Sequence, residues 1–341
     1  MSAARTDRVR GCLLGLAVGD ALGTTHEFRV MEQPPYPALA AGPATDVVGG
    51  GPFQLAPGQV TDDTQLAVCL ARNLAEHGRF ELDDVARRYV AWSDHAFDIG
   101  NQTGAAIRGL RRGEAASSAG LGVWRQSGRR AAGNGSLMRT APLAIALGGV
   151  DRARLIDASI AESMITHADP RCLLACAAFD CAIAAAIEDP GSSLVGVGRE
   201  ALRVGARRLG ATWTDPMDRE HLERAEVELE SDLDAAGSES PDVHGVELHL
   251  YKTAGFVRVA FRLAFWHAMH TRSWRDAVVD VSSRGGDADT NAAIVGALLG
   301  ARDGASAIPE AWIERVLDAT QPGPAEWADA HHPRRLLALA G

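Results

Sequence analysis

Lysine, aromatic residues and cysteine are all scarce in this sequence of 341 residues. Lys252 is the only lysine among 34 basic residues, and 5% of the residues are aromatic, whereas 46% are hydrophobic and 23% are charged. With abundant alanine, the near absence of lysine is typical of a GC-rich bacterial genome. The hydrophobic and charged fractions are those of a globular protein, so wholesale disorder and a collagen-like chain are excluded.

Positive charge and long hydrophobic runs are also in short supply. The 34 basic residues face 44 acidic ones, for a net charge of −10. Proteins that bind nucleic acid through its phosphates carry a basic face, so we do not expect stable nucleic-acid binding. The longest apolar stretch, residues 172–187, is interrupted by Asp180. No segment therefore reaches the ~20 apolar residues that span a bilayer, and we expect no membrane partner.

The few cysteines indicate a reducing compartment. Their number is odd, and Cys172 and Cys176 are four residues apart, a helical spacing rather than the CxxC spacing of many zinc sites. Such cysteines in apolar, helix-like segments are typical of reduced core thiols. Near the start of the sequence, a short apolar stretch that contains Asp20 follows Arg8 and Arg10, without a small-residue cleavage site. This stretch does not resemble a signal peptide, and we expect a cytoplasmic location.

The spacing of apolar residues favours helices throughout the chain. They recur mainly at intervals of three and four, alternating strand patterns are hard to find, and alanine, leucine, arginine and glutamate dominate. We therefore predict an all-α fold with helices of about 10–20 residues joined by short loops. The predicted helices start near Thr6, Asp63, Leu82, Asn101, Asp151, Asp169, Leu194, Arg219, Glu247, Trp274, Asp287 and Pro309.

Three stretches interrupt the helical pattern, but none has the composition of a linker between domains. Residues 29–60, rich in proline and glycine, predict a long ordered loop, and residues 113–135 predict a second loop. Residues 214–246 are acidic and predict a solvated surface helix followed by a surface loop, with a flexible insertion as the alternative. We expect a single domain over residues 1–341 and a monomer.

Two acidic clusters each precede a predicted helix: residues 61–64 (TDDT) and residues 285–291 (GGDADTN). Taken singly, a helix cap with an acid in the first turn would explain each cluster. Together they supply four carboxylates and two hydroxyls, an all-oxygen set that suits Mg²⁺, Mn²⁺ or Ca²⁺ rather than zinc. Without a cation, the packed carboxylates would repel one another and their pKa values would rise. Two metals that share a bridging carboxylate would relieve this repulsion.

Four further segments carry polar residues for which a purely structural role is equally possible. In residues 19–28 (GDALGTTHEF), Asp20 could end the first helix and Glu27 could be a surface acid. Residues 98–104 (DIGNQTG) could form a helix cap. Residues 133–139 (GNGSLMR) form a turn whose backbone N–H groups suit a phosphate. His167 in ITHADP could be a hydrogen-bonded structural histidine.

Taken in order, these segments resemble the ADP-ribosylglycohydrolase family, including the dinitrogenase reductase-activating glycohydrolases. The resemblance runs from about residue 8 to about residue 304. It rests on GCLLGLAVGDALGTTHEF, TDDTQLAV, DIGN, GNGSLMRTAPLA, ITH and GGDADTNAAIVGALLGA. Each segment is common alone, whereas six of them in the same order are specific. The resemblance implies a compact multi-helix, all-α domain with a dinuclear Mg²⁺ or Mn²⁺ centre in a cleft.

The resemblance also assigns roles by position. It implies that one metal is held by Thr61, Asp62 and Asp63, and the other by Asp287, Asp289 and Thr290, with Asp289 bridging. It implies Glu27 or Asp98 as the catalytic carboxylate and leaves the choice between them open. The substrate contacts that it implies are Gly100, Asn101, Gly133, Asn134, Gly135, Ser136, His167 and Phe256, the last as a stacking surface for adenine.

The implied reaction is hydrolysis of the bond at C1″ of the distal ribose of ADP-ribose, through an oxocarbenium-like state. The implied partner is ADP-ribose on a modified protein or small molecule, with arginine as the favoured attachment. Many relatives have a polar residue and threonine where this chain has Val259-Ala260, which leaves the substrate less certain than the metal site. The alternatives are a serine, nucleobase or O-acyl linkage, and a non-catalytic ADP-ribose-binding or structural relative. The presence of every implied ligand and of Glu27 argues against a non-catalytic relative.

Overall fold

Helices form nearly all of the regular structure, which confirms the predicted all-α class. The computed structural model describes residues 2–32, 34–36, 38, 42–149 and 151–340. Across these ranges, extended pairing is limited to isolated bridges, two of which join Val30 to Gly285 and Gly133 to Phe256. The helices are α1 Ala3–Gly23, α2 Asp62–His77, α3 Leu82–Trp92, α4 Asn101–Arg111, α5 Ala119–Gln126, α6 Ala141–Leu147, α7 Arg152–Met164, α8 Pro170–Glu188, α9 Leu194–Thr212, α10 Pro216–Ala235, α11 Val257–His270, α12 Trp274–Ser283, α13 Ala288–Asp303, α14 Glu310–Asp318 and α15 Ala325–Ala330.

The antiparallel pair α1 and α13 lies at the centre of the fold. Glycines recur at every fourth position of α1, at residues 11, 15, 19 and 23, so they form a stripe on one face. A methyl group at any of them would clash with a backbone carbonyl of α13, at residues 300, 296, 292 and 288 respectively. The two backbones therefore touch directly. This close antiparallel contact places the end of α1, with Asp20, beside the start of α13, with Asp289.

Helix α8 is long and apolar enough to cross a membrane, but 89% of its most apolar 18-residue window is buried inside the protein. Asp180 lies within this helix and is itself buried. Its carboxylate accepts hydrogen bonds from the hydroxyls of Thr140 at 2.6 Å and Ser159 at 2.5 Å. The apolar composition of α8 is thus accounted for by its place in the core.

The predicted helix start near Glu247 is wrong. Residues 247–256 form turns, and α11 begins ten residues later at Val257. The reason is a tertiary pairing: Asn134 N–H donates to Gly255 O, and Val257 N–H donates to Ala132 O, both at 3.0 Å. These bonds tie the segment before α11 to the GNGS turn instead of to its own helix. The second predicted loop, 113–135, also contains the short helix α5.

The acidic stretch forms helix α10, as predicted, but this helix is only partly solvated. Leu222, Leu229 and Asp232 are buried. Asp232 accepts hydrogen bonds from the guanidinium groups of Arg258 and Arg262 in α11. A carboxylate that sequence reasoning assigns to the surface therefore forms a buried ion-pair network between two helices.

The described part of the predicted 29–60 loop contains turns but no helix, and residues 33, 37 and 39–41 of that loop lie outside the described residues. Buried Arg284 holds the loop. Its guanidinium donates to Pro34 O at 3.0 Å and Ala38 O at 3.3 Å, and it is paired with Asp280. This arrangement packs the loop beside the second acidic cluster, which directly follows Arg284 in the sequence.

Candidate metal centre and active site

The two acidic clusters meet at the starts of α2 and α13. Thr61 and Asp287 occupy the N-cap positions of these helices, yet neither side chain makes a capping hydrogen bond. Thr61 Oγ1 instead lies 3.0 Å from Asp63 Oδ2, and Asp287 Oδ2 accepts from Asn134 Nδ2 at 2.6 Å. Capping therefore does not explain these residues, because their side chains bond to other polar side chains of the cluster and its surroundings.

Asp20 is a central member of this cluster that sequence reasoning missed. It is fully buried in the last turn of α1 and does not end the helix. Its carboxylate accepts from the backbone N–H of Thr61 at 3.1 Å and of Thr64 at 3.2 Å, and from the Thr64 hydroxyl at 2.5 Å. Asp20 thereby fixes the start of α2 against α1. The sequence did contain an indication of this role, because Asp20 lies inside the GDALG segment that carries the family resemblance.

Asp289 belongs to two groups of three carboxylates. In each group, one oxygen from each residue lies within 4.8 Å of the others, close enough to share a cation. The first group also contains Asp20 and Asp63, and the second contains Glu27 and Asp98. A residue common to both groups is in the position that a bridging ligand requires.

The remaining predicted ligands lie around these groups. Asp62 lies close enough to Asp98 for the two carboxyls to affect each other's pKa, and it is not a member of either group. Thr290 Oγ1 lies 3.5 Å from Asp63 Oδ2. Asp287 is 8% exposed and lines the same cavity as Asp289. The structure thus brings the six predicted ligands into one region, and their individual roles as metal ligands stay a prediction.

Burial and mutual repulsion hold the carboxyl groups partly protonated in the metal-free protein. Burial, with smaller contributions from neighbouring aspartates, raises the pKa of Glu27 to about 8 and that of Asp98 to about 7. Burial also raises the pKa of Asp20 to about 6. The same causes raise the pKa values of Asp63 and Asp289 well above their usual range.

Two of these buried oxygens lack a partner among the described residues: Glu27 Oε2 and Asp63 Oδ1. A buried acceptor without a partner costs free energy, and so does a cluster of like charges. A divalent cation with oxygen ligands would relieve both costs at once. The residues present therefore fit a hard divalent cation, whereas the thiols and imidazoles of a zinc cage are absent from both groups.

The cluster forms one side of a cavity of about 400 Å³, within the size range of small-molecule sites. Predicted residues that line it are Glu27, Asp62, Asp98, Gly100, Asn101, Gly133, Asn134, Gly135, His167, Asp287, Asp289 and Thr290. Lining residues to which the sequence analysis gave no role are Phe28, Gln102, Thr103, Met138 and Gly255. All five lie inside or beside a segment that the sequence analysis singled out.

Thr61, Asp63, Ser136 and Phe256 are not among the residues that line the cavity. Thr61 and Asp63 are completely buried behind its acidic side. The Ser136 hydroxyl is also buried and lies 2.8 Å from Ser163 Oγ. Because the hydroxyl faces the core, a contact of Ser136 with substrate would have to come from its backbone, and this contact stays a prediction.

Phe256 also departs from the expected arrangement. The Arg171 guanidinium lies over its ring, 5.1 Å from the centroid. An adenine that stacked on that face would have to displace a cation–π contact. Another aromatic, Trp124, is completely buried and donates to Asp169, so it offers no stacking face either. The role of Phe256 as a stacking surface for adenine therefore stays a prediction, and in the structure Arg171 covers one face of its ring.

Phe28 is the aromatic ring that the cavity does contain. It is 65% exposed and has a left-handed backbone with φ of +59°, which is costly for a bulky residue. Its N–H donates to Gly286 O at 2.6 Å, and Gly286 N–H donates to Arg29 O at 2.9 Å. The paired backbones hold Phe28 at the cavity rim beside Glu27.

This chain is similar to a known protein family and to several known proteins. The model of the family described as ADP-ribosylglycohydrolase matches residues 1–340. ADP-ribosylarginine hydrolase Tri1 of Pseudomonas putida (strain GB-1) is 30% identical over 322 residues, 91% of this chain and 74% of that protein. ADP-ribosyl-[dinitrogen reductase] glycohydrolase of Rhodospirillum rubrum is 31% identical over 338 residues, 98% of this chain and 97% of that protein.

A similar fold is found among solved structures. A chain of an ADP-ribosylglycohydrolase-related protein complex superposes with a TM-score of 0.67 and 27% sequence identity. The match covers 99% of both chains. The similarity therefore extends over the whole helical arrangement and is not confined to the acidic motifs.

Proposed function

This chain belongs to the ADP-ribosylglycohydrolase family, and we propose that it removes ADP-ribose from ADP-ribosylated arginine with the help of two divalent cations. The proposal is that water replaces the arginine nitrogen at C1″ of the distal ribose. The products are free ADP-ribose and unmodified arginine. Two relatives with this specificity in their names, one from Pseudomonas putida and one from Serratia proteamaculans, are each 30% identical to this chain.

The observation that carries the proposal is the place of Asp289 in two three-carboxylate groups at the side of one cavity. Asp20 and Asp63 of the first group lie behind the cavity wall, whereas Asp289, Glu27 and Asp98 line the cavity. The residues of the two groups would hold the cations beside a ligand in the cavity. When bound, these cations supply Lewis-acid polarisation of ribose hydroxyls and of a water molecule.

The donor set favours some of these residues as direct ligands over others. Asp20 already accepts several hydrogen bonds from Thr61 and Thr64, so we assign it to orienting α2. Asp63 and Glu27 each keep a buried oxygen without a protein partner among the described residues, and we assign those oxygens to direct or water-mediated contact with the metals. The cations are Mg²⁺ or Mn²⁺, because every available donor is a hard oxygen.

Glu27 and Asp98 are the side chains of this protein that act at C1″. Departure of the arginine nitrogen leaves positive charge on the ribose ring, and a carboxylate beside it stabilises that charge. The same group can take a proton from the attacking water. We place Glu27 first in this role, because it lines the cavity and its buried Oε2 has no partner among the described residues.

Arginine is favoured over the other linkages by the surroundings of Glu27. A guanidinium is cationic, and the cavity rim offers it the exposed ring of Phe28 beside the carboxylates of Glu27 and Asp98. A serine, nucleobase or O-acyl leaving group is neutral and would not use this combination. The GNGS turn, which also lines the cavity and carries backbone N–H groups, suits the diphosphate.

The proposal is tested with a panel of arginine-, serine- and nucleobase-linked ADP-ribose substrates, each with and without Mg²⁺. We expect release of ADP-ribose from the arginine-linked substrate alone, in the presence of the metal. Glu27→Gln, which keeps size and removes the charge, tests the role of Glu27 in the same assay. Release from the serine-linked substrate alone would replace the proposed substrate, and release by Glu27→Gln at the wild-type rate would remove Glu27 from the mechanism.

A further inference from the structure

A chain of buried hydrogen bonds runs from the core to the cavity through Glu162, Arg139, Thr166 and His167. Arg139 Nε donates to Glu162 Oε1 at 2.7 Å, and Arg139 Nη2 donates to Thr166 Oγ1 at 2.8 Å. Thr166 Oγ1 lies 2.7 Å from His167 Nδ1. Glu162, Arg139 and Thr166 are completely buried, and His167 is 2% exposed. Of the four, only His167 lines the cavity.

The positions of the protons in this series of hydrogen bonds follow from which groups can donate and which can accept. An arginine has donors only, so the Thr166 oxygen must accept from Arg139. The Thr166 hydroxyl has one proton, and among the described residues the one acceptor that the structure offers it is His167 Nδ1. His167 Nδ1 is therefore an unprotonated acceptor. The neutral imidazole then carries its proton on Nε2.

The Nε2 edge of His167 faces the GNGS turn at the cavity. A methyl group on Gly133 would lie 3.3 Å from Nε2, and one on Gly135 would lie 2.8 Å from the adjacent Cε1. The imidazole thus lies directly under this turn, and a side chain at Gly135 would force it to shift. Within the described part of the chain, the structure records no hydrogen-bond partner for Nε2. Burial, together with the nearby charge of Arg139, also lowers the pKa of His167 well below its usual value.

We propose that Thr166, oriented by Arg139, is a positioning residue that holds His167 as a neutral Nε2–H donor to an anionic oxygen of the ligand. The inference rests on the proposed function in one respect, since it takes the ligand to be a diphosphate. Phosphate oxygens accept hydrogen bonds and carry no proton to donate, so a fixed donor matches them. A histidine with the opposite tautomer would present a lone pair to the phosphate and repel it.

The protonation state is tested directly in the wild-type protein, without a ligand. Nitrogen-15 NMR of the labelled chain distinguishes protonated from unprotonated ring nitrogens, and the spectrum of His167→Gln identifies the signals of His167 among the 11 histidines. At pH 7 we expect a protonated Nε2 and an unprotonated Nδ1. A protonated Nδ1, alone or in an imidazolium, would overturn the proposal whatever the substrate proves to be.

The role of Thr166 is tested by binding of ADP-ribose to three variants. Thr166→Val removes the hydroxyl, and we expect affinity to fall about 10- to 150-fold, the scale for losing the hydrogen bond from a misoriented His167 to a charged phosphate oxygen. Thr166→Ser restores the hydroxyl and should bind within about twofold of wild type. Thr140→Val is the matched control. It also removes a buried threonine hydroxyl, but that hydroxyl bonds to the carboxylate of Asp180 and does not contact His167.

The outcomes separate this proposal from the proposed function. Equal affinities for wild type and Thr166→Val would overturn the positioning role, as would an equal loss in Thr140→Val. If the wild-type protein bound no ADP-ribose but the NMR spectrum showed the expected tautomer, the proposed function would be refuted. The assignment of the hydrogen bond from Thr166 to His167 would still be supported. If Thr166→Val did not fold, Thr166→Ser and the wild-type spectrum would still decide the question.

Discussion

Gly19 tests the idea that direct backbone contact between α1 and α13 builds the acidic cluster. In Gly19→Ala, the added methyl carbon would lie 2.2 Å from the carbonyl oxygen of Ala292. The obstacle is backbone, so no side chain can turn aside to make room. The two helices must move apart by roughly 1 Å at this level, and the close packing on either side is lost with that movement.

Two effects of opposite sign determine the stability of this variant. Alanine is favoured over glycine inside a helix by about 1 kcal/mol. Overpacking of a filled core costs about 1–3 kcal/mol, and a backbone obstacle belongs at the upper end of that range. We therefore expect a net loss of about 1–2 kcal/mol. In a chain of this size, the melting temperature would fall by about 1–2 °C for each kcal/mol.

The assay is thermal unfolding of the metal-free protein, with Gly210→Ala as the matched control. Gly210 also lies inside a helix, α9, but a methyl group there would meet only Leu222 Cδ2, at 3.8 Å. That variant should gain about 0.5–1 kcal/mol, since only the helix propensity changes. If Gly19→Ala raised the melting temperature as Gly210→Ala does, the reasoning about the helix pair would be refuted.

Metal affinity gives the experiment a second readout. Gly11→Ala would create a similar clash, against the carbonyl of Gly300, but at the end of the helix pair far from Asp20. We expect both variants to be destabilised and Gly19→Ala to lose more Mn²⁺ affinity in calorimetric titration, because its clash adjoins Asp20. Equal losses would mean that the distance between Asp20 and Asp289 does not control the site.

Three further predictions concern the acidic cluster. Removal of metal by EDTA should abolish activity, and Mg²⁺ or Mn²⁺ should restore it, since the proposed ligands are oxygen donors; full turnover by metal-free enzyme would end the dinuclear model. Glu27→Gln should lower kcat by a factor on the order of 10²–10⁴ while calorimetry still detects ADP-ribose binding; a parallel loss of binding would make Glu27 an anchor. The melting temperature of the metal-free protein should fall as pH rises from about 5 to 8, because the folded pKa values of Asp20, Asp98 and Glu27, about 6, 7 and 8, exceed the unfolded values near 4. The folded state then binds more protons than the unfolded state across this window, so deprotonation favours unfolding; a flat profile without metal, or the same slope with saturating Mg²⁺, would contradict this.

Local sequence patterns were sufficient to predict the class of fold and the chemical type of the site. Periodicity alone predicts the helices, since each must bury an apolar face. The clusters TDDT and GGDADTN contain oxygen donors in a density that suits a hard cation, whatever their exact geometry. Most of the cavity-lining residues lie in the motifs that were singled out in the sequence, because turns and helix starts are where polar side chains converge.

Tertiary contacts decided which of the candidate side chains reach the cavity. The Ser136 hydroxyl faces Ser163, and the Phe256 ring lies under Arg171. Asp20, which local reasoning makes a helix end, is buried at the centre of the acidic cluster. None of these outcomes follows from neighbours in sequence, because each depends on a partner at least 27 residues away.

What the sequence by itself determined is therefore most of the helices and the supply of oxygen donors at the starts of two of them. What only the tertiary structure decided is the meeting of those donors around Asp289. The physical reason is that helix formation depends on residues three and four apart, whereas the separation of Asp20 from Asp289 depends on glycines of α1 lying against α13. That contact exists only once both helices are folded and packed.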